Sequence, residues 1–445
     1  MHEQTWGTKA IADCLTHAFA GEWGGEPTPA NAIVLRATDI DNDGHVMGQG
    51  AQRAIGASKL KAKQLQDGDI LLEGSGGSPD SPVGRVALFE VRSQAQPALC
   101  SNFFKTLRPN REIVDARFLW RKLCWFYRQP QLLSMQQQTT GIINLKFQDY
   151  LAAQISLPLA RSEQSKVADV LDTLDTTIRQ TEAIIVKLKQ VKKGLLHDLL
   201  TRGIDTNGEL RPPQSEAPHL YKASPLGWIP VEWNVVATSH RCSLITKGTT
   251  PASTHMWQGE EGVRFLRVDN LTFDGQLNFN ASSFRISKET HEGELMRSQC
   301  LSGDVLTNIV GPPLGKLGLI KEESGQININ QAIALFRPTS ELLSCFLLTW
   351  LGSALAQVWL RQRAKQTSGQ VNLTLALCQE LPIPDMTLIE QRAIVERVAA
   401  PQARIDVEAS TLHKLEQLKS GLMDDLLTGR VRVTPLLAQA PTTQP

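Results

Sequence analysis

From Glu163 onward the apolar residues fall three and four apart: Val167, Val170, Leu171, Leu174, Ile178, Ile185, Leu188, Val191, Leu195 and Leu199, with Lys, Asp and Glu between them. This spacing puts one apolar stripe on a helix of 3.6 residues per turn. The same pattern returns at Ile394, Val398, Ile405, Leu412, Leu415, Leu418, Leu422 and Leu426. Each run predicts a helix of about 40 residues, about 60 Å at 1.5 Å per residue. A stripe that long has to be buried along its whole length. The other helix matches it in length and register, so an antiparallel coiled-coil pair is expected in preference to ordinary bundle packing. Pro401 lies inside the second run and predicts a kink or a restart there.

Elsewhere the pattern shortens. GVRFLRVDNL, GDVLTNIV, KLGLIKE and QAIALFRP cluster or alternate apolar and β-branched residues between Gly, Pro and Asn turns, which predicts strands. ARFLWRKLCWFYRQPQLLSMQQ (116–137) and FLLTWLGSALAQVWLRQRAK (346–365) read as helices, and SEAPHLYKASPLGWIPVEW (215–233) as a Pro-rich extended segment.

These elements repeat. KKGLLHDLLTRG at Lys192–Gly203 and KSGLMDDLLTGR at Lys419–Arg430 stand 227 residues apart, and the register holds back to Glu163-Gln164 on Glu390-Gln391. Farther upstream TTGIINL (139–145) matches TSGQVNL (367–373), Gly68-Asp69 matches Gly303-Asp304, and LRATDIDNDGHV (35–46) matches LRVDNLTFDGQL (266–277). The fold class expected is α+β: a tandem duplication of a mixed α/β head and a long helix, the two helices forming an antiparallel spacer in a pseudo-twofold dumbbell. The boundaries expected are a first head at 1–160, a long helix at 161–203, a linker at 204–225, a second head at 226–386, a second long helix at 387–429 and a flexible C-terminal tail at 430–445.

Composition adds limits. With 445 residues, 41% hydrophobic and 20% charged, the chain is long enough for two or three domains and has the balance of a soluble protein. No apolar run approaches a membrane span. MHEQTWGTKAIADC lacks the charged-then-apolar pattern of a signal peptide, so a cytoplasmic protein is expected. The seven cysteines are scattered without a C-x-x-C pair and read as reduced, mostly buried thiols. A net charge of +1 neither demands nor excludes a polyanionic partner.

Candidate chemistry is sparse. DIDNDGH (39–45) places Asp39, Asp41, Asp43 and Gly44 as in a calcium loop, but Gly50 stands where the bidentate Glu belongs. The other copy carries TFDG at the same place, so both read as hairpin turns. VGPPLGKLG (310–318) lacks the glycine spacing of a phosphate loop. No Gly-rich S-adenosylmethionine loop, histidine metal pair or nucleophile–base set can be argued from spacing, and the chain reads as non-catalytic. What remains is polar loops suited to nucleic acid, with Arg and Lys for phosphates and Asn, Gln, Ser and Thr for base edges. The first head offers Arg53, Lys59, Lys61, Ser75, Arg85, Asn102, Lys105 and Gln138. The second offers Lys247, Thr249, Thr250, Arg267, Asn308, Lys316, Asn330, Gln331, Arg361, Arg363, Lys365 and Gln366. A solvated loop explains any one cluster; recurrence at equivalent places in both copies, which common ancestry alone would also produce, points to a shared role.

SPLGWIPVEW and GTTP at the second head, GDVLTNIVGPPLGKLGLI and ININQAIALFRP within it, LPLARSEQ and LPIPDMTLIEQ ahead of the helices, and the closing LMDDLLTGRVRV together resemble the specificity subunits of type I restriction–modification systems. The likeness covers nearly the whole chain. The first head departs from it, with no G-T-T-P string, SNFFK where the second has INQAI, and a longer GSGGSPDSP loop. The resemblance implies that each head is a target recognition domain for half of a bipartite DNA site, with the helices fixing the separation. It implies docking of two methyltransferase and two restriction subunits, with Glu163, Gln164, Leu195, Leu199, Glu390, Gln391, Leu422 and Leu426 on the docking helices. S-adenosylmethionine, ATP and magnesium would sit on those partners and no cofactor on this chain. The implied setting is phage defence in a bacterial cytoplasm, at the nucleoid when DNA is bound. A methylation-only system and a duplicated adaptor that binds proteins stay open.

Overall fold

The structure, a computed structural model, describes residues 5–26, 29–78, 81–91, 96–139, 142–367 and 370–437. The chain divides into two compact units, and the division falls inside both long helices: one unit takes residues 1–183 with 410–445, the other residues 184–409. Each unit therefore holds one head, the first half of one long helix and the second half of the other.

In the first unit, Leu15–Ala20, Phe104–Pro109, Ile70–Glu73 and Val86–Leu88 form an antiparallel sheet in that order. Ala32–Leu35 pairs in parallel with Ala98–Cys100 and antiparallel with Ala51–Arg53. Trp6–Ala10 pairs with Gln154–Pro158, which brings the start of the head to the point where the long helix leaves. A further small sheet joins Gln136–Thr139, Ile142–Leu145 and Ser75–Gly77. Helix Ala116–Tyr127 is capped by Asp115, whose carboxylate accepts from the Arg117 and Phe118 amides. Its Phe118, Leu119, Leu123 and Phe126 complete a core with Ile70, Leu72 and Leu107 of the sheet, Val167 and Leu171 of one long helix, and Met423, Leu426 and Leu427 of the other.

The second unit repeats this plan. Cys242–Lys247, Ile333–Pro338, Val305–Asn308 and Leu317–Leu319 form the four-stranded sheet. Val263–Leu266 runs parallel to Ile327–Ile329, Asn234–Ala237 pairs with Pro382–Asp385, and Val310–Gly311, Gln370–Asn372 and Lys365–Thr367 form the small sheet. Equivalent ion pairs brace both heads: Asp69 takes the Arg108 guanidinium in two hydrogen bonds, and Asp304 takes that of Arg337. The expected α+β duplication is thus borne out in the main sheets, with two further strands, Met256–Gln258 and Gln299–Cys300, on the second head's parallel-paired sheet. The two expected hairpin turns are present, closed by the Ile40–Val46 and Leu271–Leu277 bridges, with Gly44 and Gly275 at φ +86° and +85°.

The long helices run Arg161–Arg202 and Leu388–Thr428. Of the kink or restart expected at Pro401, the restart is absent: the second helix continues through it, at the loss of one amide donor. Within each unit the halves pair antiparallel. In the first, Glu163 meets Arg432 and Asp175 meets Lys419; in the second, Lys192 meets Gln402 and Glu390 meets Arg211. The apolar stripes are buried between them at Val167, Leu171, Leu174, Ile178, Ile185, Leu199, Ile394, Val398, Ile405 and Leu426. Val191 and Leu418 depart from the stripe, at 52% and 51% exposed. They are equivalent residues of the repeat. A straight helix drifts about 20° per heptad against a 3.5-residue pattern, and these positions rotate out.

The Glu-Gln pair that opens each helix is a clamp. Glu390 accepts from Trp233 Nε1 at 2.9 Å, the Ile204 amide at 2.8 Å and Arg211 at 2.6 Å. Glu163 takes the Trp6 indole at 3.4 Å and the Arg432 guanidinium on both oxygens. Gln391 accepts from the Leu343 amide and donates to the Glu341 and Met386 carbonyls, as Gln164 does with the Asp115 amide and the Ile113 and Pro158 carbonyls. The stretch expected to begin a flexible tail is anchored by that Arg432 contact and by Val433 in the core; residues 438–445 lie outside the described residues.

Candidate nucleic-acid interface

Four strand-end loops meet at one edge of each head, fixed by the same backbone hydrogen bonds. In the second head the Gly248 amide donates to the Ile333 carbonyl, Asn330 to Leu266, Ile309 to Ala332 and Leu373 to Ile309. In the first head Gly21 donates to Phe104, Ser101 to Leu35, Gly74 to Phe103 and Leu145 to Gly74. Gly21 and Gly248 are required there, because a Cβ would stand 2.1 Å from the Ser101 carbonyl oxygen or 1.9 Å from that of Ile329. These bonds make Asn102 equivalent to Gln331, Phe103 to Ala332 and Glu73 to Asn308.

In the second head the edge brings together exposed Lys247, Thr249, Thr250, Arg267 and Gln331. Thr250 donates to the Gln331 side-chain oxygen, and the Arg267 guanidinium lies 5.1 Å over the Phe284 ring. Asn330 is mostly buried, and its side-chain oxygen accepts from the Ala332 amide at 3.2 Å. Lys316 is half-buried, with Nζ 3.5 Å from the Val268 carbonyl. Lys365 is exposed on the outer strand of the small sheet; the Gln366 side chain lies outside the described residues. Arg363 stacks over Trp359 at 4.3 Å. Arg361 is set apart from this edge, lining a groove against Lys189, Lys192 and Lys193 of the long helix.

Asn308 corrects the sequence reading. It is fully buried, its amide donates to the Val310 and Pro313 carbonyls, and its oxygen accepts from the Gly315 and Lys316 amides. Every hydrogen-bonding capacity of the side chain is used inside the loop, so it braces the edge and has nothing left for a base. Arg85 is similarly committed, held on both oxygens of the buried Glu73, with a 3.3 Å contact to Asn42. Of the residues expected on the docking helices, Glu163, Gln164, Gln391, Leu199 and Leu426 are buried within their own unit, Glu390 is nearly so, and Leu195 and Leu422 are half-buried.

In the first head, Glu22 stands where Thr249 stands in the second and holds Lys59 at 3.1 Å and Lys63 at 3.2 Å. Those lysines keep its carboxyl below the usual range, the Lys59 hydrogen bond most of all. Lys61 is exposed on the same short helix, Ala57–Lys63. Arg53 stacks over Trp23 at 4.1 Å. Ser75 donates to the Asn144 side chain at 2.6 Å, Lys105 sits 5.7 Å over the Phe147 ring, and Asn102 and Gln138 are exposed. Glu22 and Trp23 escaped the sequence reading, and Phe103 entered it only as part of SNFFK. Gly21 was the available signal, standing 227 residues before Gly248, the spacing of the helices.

Among the described residues, no group of three or more His, Cys, Asp or Glu side chains is placed to hold a metal ion, and no helix is long and apolar enough to cross a membrane. The edges offer cations and amides on rigid strand ends, which suits contact with phosphates and base edges.

Residues 34–190 match the family model described as the type I restriction modification DNA specificity domain. The chain is 24% identical over 85% of its length to the specificity subunit of type I restriction enzyme MjaVIII from Methanocaldococcus jannaschii, covering 83% of that protein. It is 26% identical to the EcoBI specificity subunit from Escherichia coli over 68% of this chain and 62% of that one. Among solved structures, a chain from a study of the assembly and conformational transition of a type I system shares the fold with TM-score 0.57 and 18% identity over 96% of this chain and 99% of that one. The S subunit from M. genitalium does so with TM-score 0.54 and 16% identity over 96% and 97%.

Proposed function

From the premise that the chain belongs to the type I restriction–modification specificity family, we propose that it chooses the DNA sequence for a methyltransferase and restriction complex, each head reading one half of a bipartite site. The observation that carries this reading is the duplicated edge. One set of backbone hydrogen bonds holds four loops in both heads, while the side chains presented differ: Glu22, Trp23, Asn102 and Phe103 in one, Thr249, Thr250, Gln331 and Ala332 in the other. A fixed frame with exchanged contacts is what two independent sequence readers need. Exposed cations at each edge supply the phosphate attraction that positions such a reader.

Two methyltransferase and two restriction subunits are the partners in this proposal, carrying S-adenosylmethionine, ATP and magnesium. The chain's part is recognition and assembly in the bacterial cytoplasm, at the nucleoid when DNA is bound. With the Glu-Gln pairs and much of both stripes buried, the docking surface moves to the outward faces of the helices, where Val191 and Leu418 are exposed at equivalent places. A methylation-only complex uses the same surfaces without the restriction subunits.

The test is binding of the chain, purified with its methyltransferase partner, to a duplex carrying the motif that the host methylates. The expected preference over random duplex is about 10³-fold or more, and affinity should fall steeply with salt. Equal affinity for both duplexes, or none for either, would support the adaptor reading instead.

A further inference from the structure

Phe103 is 50% exposed at this edge, whose other aromatic, Trp23, is half-buried under Arg53. Its backbone is fixed, since its carbonyl accepts the Gly74 amide at 2.7 Å and the flanking Phe104 is wholly buried. The loop around it is Gly74-Ser75-Gly76-Gly77, and three glycines leave the ring without side-chain neighbours from that strand. Gly76 lies against the ring, where an added Cβ would stand 3.6 Å from Phe103 Cδ1, and its φ of +107° disfavours any other residue. The ring thus rests on a shelf of bare backbone and projects beside exposed Asn102 and half-buried Lys105. The second head places Ala332 at the same point of the same hydrogen-bonded frame, so the fold itself does not need an aromatic there.

An exposed ring held rigidly among hydrogen-bonding groups needs an apolar partner. The apolar feature of a DNA major groove is the thymine 5-methyl group, the one base-edge signal that a hydrogen bond does not report. We propose that Phe103 reads a thymine methyl in the half-site bound by the first head. This rests on the DNA-recognition reading above and adds the base class to it.

The experiment uses the full chain with its methyltransferase partner and duplexes carrying its methylated motif, with each thymine of the first half-site replaced in turn by deoxyuridine, which removes only the methyl. At one position the wild-type complex should lose about fourfold in affinity, the factor for one buried methyl-sized group. Phe103→Ala should bind the thymine duplex about as the wild type binds the deoxyuridine one, and should be indifferent to the exchange. Retained discrimination at the other positions of the first half-site will show that the first head of the variant is folded. The proposal is overturned if no deoxyuridine weakens the wild type, if Phe103→Ala keeps the full discrimination, or if the half-site holds no thymine on either strand. Equal loss by Phe103→Ala on both duplexes also overturns it, and would mean that the ring wedges between bases. A complex that does not prefer its motif to random DNA would refute the DNA reading itself, and this inference with it.

Discussion

Asn308 and Gln331 are both amides in loops of the second head, and the sequence presents them alike. The structure separates them: Asn308 is spent on four loop partners, while Gln331 is exposed with a single partner in Thr250. Gln331→Ala should therefore relax one position of the methylated motif, at a cost of about 1–3 kcal/mol in discrimination. Asn308→Ala should instead unsettle the loop, weakening several positions together and lowering stability by about 1–3 kcal/mol, as lost buried hydrogen bonds do. Methylome sequencing of cells carrying each variant tells them apart. Lys365→Ala should weaken binding to all sequences alike and reduce the salt slope by about 0.9, as the loss of one phosphate contact does. Polarity in a sequence does not say whether a side chain faces water or closes a loop, which is why Asn308 and Arg85, spent inside the head, read like Thr250 and Gln331, which are exposed. Glu22 and Trp23 went unseen because only a glycine survives from the matching string.

At the scale of elements, the long helices were legible because their stripe extends over so many turns and recurs at one fixed spacing. The small sheets were not, because strands of two to four residues are too short to show a period. The Glu-Gln pairs were legible as helix openings but not as clamps, since their partners Trp233, Arg211 and Arg432 are far away in the chain. Glu390→Ala should leave the buried Arg211 cation and the Trp233 indole without their acceptor, destabilising the second unit by about 3–5 kcal/mol; urea denaturation checks this. A second joint lies in the first unit, where Asp175 of one helix meets Arg121 of the head, Lys419 of the other helix and His45 of the hairpin turn. Burial works to raise the Asp175 carboxyl, but His45, Arg121 and Lys419 outweigh it and hold it well below the usual range. The joint is therefore at full strength above the unfolded-state carboxyl value of about 4 and weakens as pH falls below it. Between pH 7 and pH 3 the wild-type urea midpoint should drop more than that of Asp175→Asn, which is weaker at pH 7 and has no carboxyl there to protonate.

For the whole molecule, both long helices contribute to both units. Inserting four residues after Ala183 and four after Ala409 adds about 6 Å of helix. At 34 Å per turn of DNA this should lengthen the tolerated spacer by one or two base pairs and leave both half-sites unaltered. Two-residue insertions turn each stripe by about 200° and should abolish assembly. The central claim, that each head reads its own half of the target, has a more direct test. Residues 6–158 are replaced by the matching head of a relative, keeping both long helices and the closing Arg432 and Val433 of this chain, and the methylome of the host is sequenced. The account predicts that one half of the methylated motif changes, while the other half and the spacer stay as they were. A change in both halves, or in neither at full methylation, would contradict it.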